Sequence, residues 1–219
     1  YRPAFLEALA REKALLQRAR KEGLYPDPAA VEARVHALKE AFPEAELYAD
    51  ANESLPPKEA ERYLLAWKEL GLRYVEEPLP VEEVEARRAL REKGILPLIA
   101  DDAAMTPKDL RRELALNTFD VLNLKPARTG VTWTLEMLAL ARERGKKAMV
   151  GSQAQSAFGA YQSALLAFQQ GVTEPCELAF HLKAEGGFFP FPPFREGWLY
   201  WEDLVEARFD EEAFARYAL

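Results

Sequence analysis

Six short apolar runs recur along the chain: ELYAD (46–50), LRYVEE (72–77), ILPLIAD (95–101), FDVLNLK (119–125), KKAMVG (146–151) and CELAFH (176–181). Measured at Asp50, Glu76, Asp101, Lys125, Gly151 and Glu177, their ends fall 24 to 26 residues apart. A period of this length holds one strand and one crossover helix, so the runs read as six strands of a repeating βα unit. Strands that alternate with helices pair in parallel through right-handed crossovers. Units this regular, with no break in spacing, predict a (β/α) barrel rather than an open doubly wound sheet.

The segments between the runs carry the matching helix signals. Val31, Val35, Leu38 and Phe42 form an apolar stripe after Asp27 and Pro28, which suit N-cap and first-turn positions. Thr106 and Pro107 open another helix in the same way, and further stripes comprise Ala60, Leu64 and Trp67, then Tyr161, Leu165 and Phe168. A complete barrel needs eight strands, so the expectation is an incomplete one with about six recognisable strands. Three parts follow: a helical segment over 1–24, a barrel core over 25–187, and an aromatic and proline-rich tail with a helix over 188–219.

Composition narrows the function. With 29 Lys and Arg against 36 Asp and Glu, the net charge is −7 and the basic residues are scattered among Glu, so a nucleic-acid partner is not expected. The single Cys176 has no internal disulfide partner, and no apolar run approaches the roughly 20 residues that span a bilayer. The opening YRPAFLEALAREK lacks the order of a signal peptide. A cytoplasmic protein with no membrane partner is the expectation.

Barrel enzymes carry their chemistry at the carboxyl ends of the strands. Three consecutive runs close on Asp50, Glu76 and Asp101, and the fourth closes on Lys125. Like charges gathered at one mouth repel unless a cation lies among them, and an all-oxygen donor set suits a hard divalent ion, Mg²⁺ first and Mn²⁺ second. Zinc is disfavoured, because neither His36 nor His181 has a cysteine or second histidine at ligand spacing. Each residue has an ordinary reading too: Asp50 starting a turn with Asn52, Glu76 preceding a turn at Pro78, Asp101 or Asp102 capping a helix, Lys125 lying in solvent. Capping does not account for acids at three successive strand ends, since Thr106 already suits the helix cap.

DAN at 50–52, VEEP at 75–78, ADD at 100–102 and NLKPARTG at 123–130 together resemble the barrel of the enolase superfamily, in its muconate cycloisomerase branch. That branch includes o-succinylbenzoate synthases, N-acylamino acid racemases and dipeptide epimerases. The resemblance implies Asp50, Glu76 and Asp101 as Mg²⁺ ligands, Asn52 and Asp102 as their neighbours, and Lys125 as acid or base, with Glu77 outside the ligand set. It also implies Ser152, Gln155 and Glu177 near the substrate. The implied reaction removes the proton α to a carboxylate of a small substrate, and the cation stabilises the enediolate that forms. Lys125 must be neutral to take a proton, or else acts as a cation beside the developing charge. Both roles stay open.

Three departures from the branch pattern stand out. A Lys-x-Lys strand has no counterpart before GLYPDPAAV, and Lys21 lies in a helical pattern. This predicts a junction across missing residues near Gly23 to Tyr25 and further family-like sequence before Tyr1. The capping domain is represented by at most one helix. Gln155 stands where the branch usually has a glutamate. The reading is an enzyme most like o-succinylbenzoate synthase or N-acylamino acid racemase, expected as a homo-oligomer. Its rivals are a dipeptide epimerase and a non-catalytic barrel remnant that binds a metal or partner. His36 is expected in solvent, His181 as a satisfied core or strand-end residue, Cys176 as packing, and the glycine pair at 186–187 as a turn.

Overall fold

Strands and helices alternate from residue 28 to residue 167 in the computed structural model, which describes residues 27–183 and 187–216. The predicted first helix, Lys21, the expected junction near Gly23 to Tyr25 and Gly186 lie outside the described residues. In chain order the elements are α1 (Pro28–Ala41), β1 (Ala49–Asp50), α2 (Ala60–Glu69), β2 (Val75–Glu76), α3 (Val84–Glu92), β3 (Leu98–Ala100), α4 (Pro107–Leu116), β4 (Val121–Leu124), α5 (Pro126–Glu143), β5 (Lys147–Val150), α6 (Ala157–Ala167), α7 (Trp201–Glu206) and α8 (Glu211–Ala215). Two 3₁₀ turns, Asp102–Ala104 and Phe180–Lys183, join them. Among the described residues no helix is long and apolar enough to cross a membrane.

The chain divides into two compact units at Asp102/Ala103, with Leu116–Phe119 belonging to the first. In the first unit β1 pairs with β2 and β2 with β3, both parallel. The ladder reaches past the formal strand ends, from Arg73 N–H donating to Leu47 O to Ala51 N–H donating to Glu76 O. Asp27 caps α1 by accepting the Ala29 N–H at 3.0 Å, and Pro28 supplies the first turn. Helix α2 buries Ala60, Tyr63, Leu64 and Trp67, one face at i, i+3, i+4, i+7 spacing. They pack with Leu55, Leu79, Leu90 and Leu98 in a single apolar cluster. Phe42 departs from the predicted stripe: it is the C-cap of α1 and is 62% exposed, because the helix stops before the next inward position.

In the second unit β4 and β5 pair in parallel from Val121↔Lys147 to Leu124↔Val150. Gly151 follows β5 where any side chain would collide with Asn123, since an added Cβ would lie 2.1 Å from its Oδ1. Helix α6 corrects the predicted face. It buries Ala160, Ser163, Ala164 and Leu166, whereas Phe168 is 44% exposed and touches Trp201 with ring centroids 5.5 Å apart. Small residues let the helix approach its neighbours closely. The tail over 188–216 packs back on this helix through Phe158, Phe189 and Phe209, and Tyr161 Oη donates to Leu204 O.

The sixth predicted strand, CELAFH, is not a strand. Thr173 and Glu174 donate to Ala148 O, and Glu177 donates to Val150 O, so a ladder begins along β5. From Glu174 to Glu177 the segment advances three residues against two on β5, so it bulges and the regular ladder is lost. The Val150 N–H turns instead to the Cys176 sulfur at 3.3 Å. Cys176 therefore acts as an acceptor as well as packing, and burial pushes its thiol pKa up.

Candidate functional site

Each strand-end residue sits where the chain leaves its ladder. Asp50 is the last residue of β1 and pairs in register with Glu76, the last of β2, while Asp101 follows Ala100 at the end of β3. The parallel strands thus carry carboxylates at three adjacent carboxyl ends, which is the placement the repeat predicts. Glu76 is 1% exposed and Asp101 8%, but Asp50 is exposed.

The expected convergence of all three carboxylates is not found. Among the described residues no group of three His, Cys, Asp or Glu side chains is gathered to hold a metal ion. The Asp50 side chain is engaged locally, its Oδ1 accepting the Asn52 N–H at 3.0 Å, which is the ordinary turn-starting use of an aspartate. The donor set fits a hard divalent cation in chemical kind and strand position, since it consists of carboxylates at adjacent strand ends.

Loops after these strands are held tightly. Asn52, Glu53 and Glu77 adopt positive φ (44°, 61° and 39°), a region that costs energy for non-glycine residues and persists where surrounding contacts over-determine it. Glu53 N–H donates to Glu77 O and Leu55 N–H to Pro78 O, so the loop after β1 is laced to the loop after β2. The Glu53 side chain accepts the Val81 N–H at 3.1 Å.

The sequence places Glu77 outside the ligand set and does not single out Arg87, yet the two form a buried ion pair. Glu77 Oε1 lies 3.1 Å from Arg87 Nη2, and each side chain is 3% exposed. Glu77 Oε2 accepts the Asp101 N–H at 2.8 Å. A signal was available: Arg87 occupies the inward face of α3 with Leu90, a charge where an apolar residue is expected.

Lys125 belongs to the second unit, at the end of β4 and the N-cap of α5, and is 9% exposed. Arg128 N–H, Thr129 N–H and Thr129 Oγ1 all donate to its carbonyl. The KPARTG motif is a single turn folded on Lys125, ended by Gly130 at φ 69° and ψ 169°, which glycine adopts without penalty. Thr134 Oγ1 donates to Gly130 O at 2.7 Å and starts the long continuation of α5.

Ser152 and Glu177 meet: the Ser152 N–H donates to Glu177 Oε2 at 3.1 Å. Gln155 turns to α6, where its Oε1 accepts from Ser163 Oγ at 3.3 Å. Asp102 opens the 3₁₀ turn after β3. His36 is exposed beside Glu32. His181 stacks on Phe191 with centroids 3.8 Å apart, and its Nδ1 faces Leu178 O at 3.1 Å. His36 has the solvent position expected of it; His181 is hydrogen-bonded as expected, but it lies half-buried in a 3₁₀ turn rather than in the core or at a strand end.

The alternating parallel fold and the strand-end residues define an α/β chain of the enolase C-terminal domain-like family, to which this protein belongs; the family model matches residues 6–201. It is 29% identical over 169 residues to N-succinylamino acid racemase of Thermus thermophilus, covering 71% of this chain and 46% of that protein. It is 29% identical over 140 residues to L-Ala-D/L-Glu epimerase of Thermotoga maritima, covering 63% and 41%. A mandelate racemase/muconate lactonizing protein from Herpetosiphon aurantiacus superposes with TM-score 0.71 at 26% identity, covering 78% of this chain and 50% of that one. The chain spans half or less of the length of these relatives.

Proposed function

We propose that this chain removes the proton α to a carboxylate of a small substrate, an N-acylated amino acid, a dipeptide or a succinylbenzoate precursor. The observation that carries the reading is the run of Asp50, Glu76 and Asp101 at the carboxyl ends of three consecutive parallel strands. Family membership and relatives named as racemases, epimerases and synthases support it.

Asp50, Glu76 and Asp101 would hold a divalent cation, Mg²⁺ or Mn²⁺, with Asn52 and Asp102 beside them. Such a cation, when bound, stabilises negative charge that develops on substrate oxygens. Lys125 moves the proton: its buried stem and the turn folded on its carbonyl fix its backbone, which favours a reproducible direction of attack. Ser152, Gln155 and Glu177 lie near the substrate in this reading.

One observation favours a second reading. The Asp50 Oδ1 accepts the Asn52 N–H of its own turn, a use that the strand-end acid of a barrel remnant would share. Incubation of the chain with N-acylamino acids, dipeptides and succinylbenzoate precursors in deuterated water with Mg²⁺ separates the two. Loss of the α-proton signal by NMR is expected for at least one class. A folded chain that exchanges none of them sinks the catalytic reading.

A further inference from the structure

We propose that Glu77 is a positioning residue for Asp101, a role that rests on the reading of Asp101 as a cation ligand. Glu77 grips the end of β3 on both sides of Ala100. Its own N–H donates to Ile99 O at 3.0 Å, and its side-chain Oε2 accepts the Asp101 N–H at 2.8 Å. Two bonds from one residue, bracketing a single intervening residue, leave the backbone of Asp101 little freedom to turn. The direction in which its side chain leaves the strand is thereby set.

The grip is itself anchored. Oε1 of Glu77 pairs with Arg87 of α3 at 3.1 Å, and both side chains are 3% exposed. Hydrogen bonds to an ionised group are stronger than neutral ones, and burial strengthens them further. Arg87 offsets the charge of Glu77, which would otherwise add to that of Glu76 and Asp101 nearby in the chain and in the ladder. The positive φ of Glu77, 39°, is the conformation that joins these contacts: its N–H stays on the ladder while its side chain reaches both Arg87 and Asp101. Neighbouring Glu76 then remains at the strand end as a ligand, and Glu77 supports the next one.

The test is titration of the folded chain with Mn²⁺, followed by electron paramagnetic resonance, in the wild type, Glu77→Gln, Glu77→Asp, Glu77→Ala and Asp101→Asn. Glu77→Gln keeps an oxygen within reach of the Asp101 N–H and is expected to stay within about threefold of the wild type. Glu77→Asp is one methylene short and Glu77→Ala has no acceptor. Both should bind Mn²⁺ roughly 10–100-fold more weakly, the usual effect of removing a group that orients a ligand. Amide hydrogen exchange at Asp101 should quicken in the same two variants. Wild-type affinity in folded Glu77→Ala, or in Glu77→Asp where the alanine variant does not fold, overturns the positioning role. Wild-type affinity in Asp101→Asn removes Asp101 from the ligand set and the positioning role with it, so the two failures are distinguishable.

Discussion

Glu177 and Ser152 are partners: the carboxylate oxygen Oε2 of Glu177 accepts the backbone N–H of Ser152 at 3.1 Å, and its own N–H is the last that the 173–177 segment donates to β5. Glu177 thus holds the chain where it leaves β5, on the same residue expected near substrate. Replacing Glu177 by Ala removes the acceptor from a half-buried N–H and should cost about 1 kcal/mol. Glu177→Gln, which retains an oxygen, should cost less. Urea denaturation of both variants checks the order.

The Glu77–Arg87 pair gives a larger effect. Arg87→Met leaves a buried carboxylate without its guanidinium, and breaking a buried pair on one side costs about 3–5 kcal/mol. Adding Glu77→Gln to that variant neutralises the carboxylate while keeping an acceptor for Asp101, so the double variant should regain part of the loss. An exposed pair such as Arg88–Glu92 provides the contrast: deleting it should shift the urea midpoint barely at all.

The placement of Asp50, Glu76, Asp101 and Lys125 was legible because parallel βα units repeat at a nearly constant length, and the repeat marks strand ends without reference to side-chain direction. Where side chains point was not legible. Asp50 can serve its own turn through Asn52, and spacing does not tell that use from a shared one. CELAFH reads as a strand by its apolar content, yet the segment leading into it slips by one residue against β5 between Glu174 and Glu177, and an apolar run does not reveal a bulge. In AFGAYQSALLA nearly every residue is apolar or small, so period alone does not choose the buried face, and close packing selected Ala160, Ser163 and Ala164 over the large side chains. Arg87 escaped notice because polar helices are read as solvated, whereas its partner Glu77 comes from another element.

Lys125 tests the proposed chemistry. Positioned acid–base groups contribute roughly 10²–10⁴-fold, so Lys125→Ala should slow α-hydrogen exchange by that order in any substrate class that exchanges in the wild type. Thr129→Val removes the hydroxyl that supports the Lys125 carbonyl and contacts Thr134, and should produce a smaller loss. The pH profile of exchange separates the two roles of the lysine. A base gains activity as it deprotonates on raising the pH, whereas a cation loses it. NMR exchange rates in deuterated buffers supply the profile.

His181 makes a pH-dependent contribution to stability whose sign follows from its surroundings. Burial against Phe191 and Phe194 lowers its pKa, and the bond to Leu178 O opposes this to a smaller extent. A carbonyl only accepts, so Nδ1 carries the proton in the neutral ring. Its ordinary value is about 6.5, so as the pH falls the unfolded chain takes up the extra proton before the folded one. The contribution of the neutral ring is complete above about pH 6.5 and is lost as the pH falls through the folded value. Unfolding free energy should therefore decline as the pH falls below about 6.5, with a component that His181→Gln abolishes. Phe191→Ala, which opens the ring to water, should move the His181 pKa back up and weaken the same component. Titration of the His181 ring protons by NMR, alongside urea denaturation at each pH, measures both; a ring that titrates at its ordinary value removes the predicted slope, one that titrates above it reverses the slope, and either refutes the assignment.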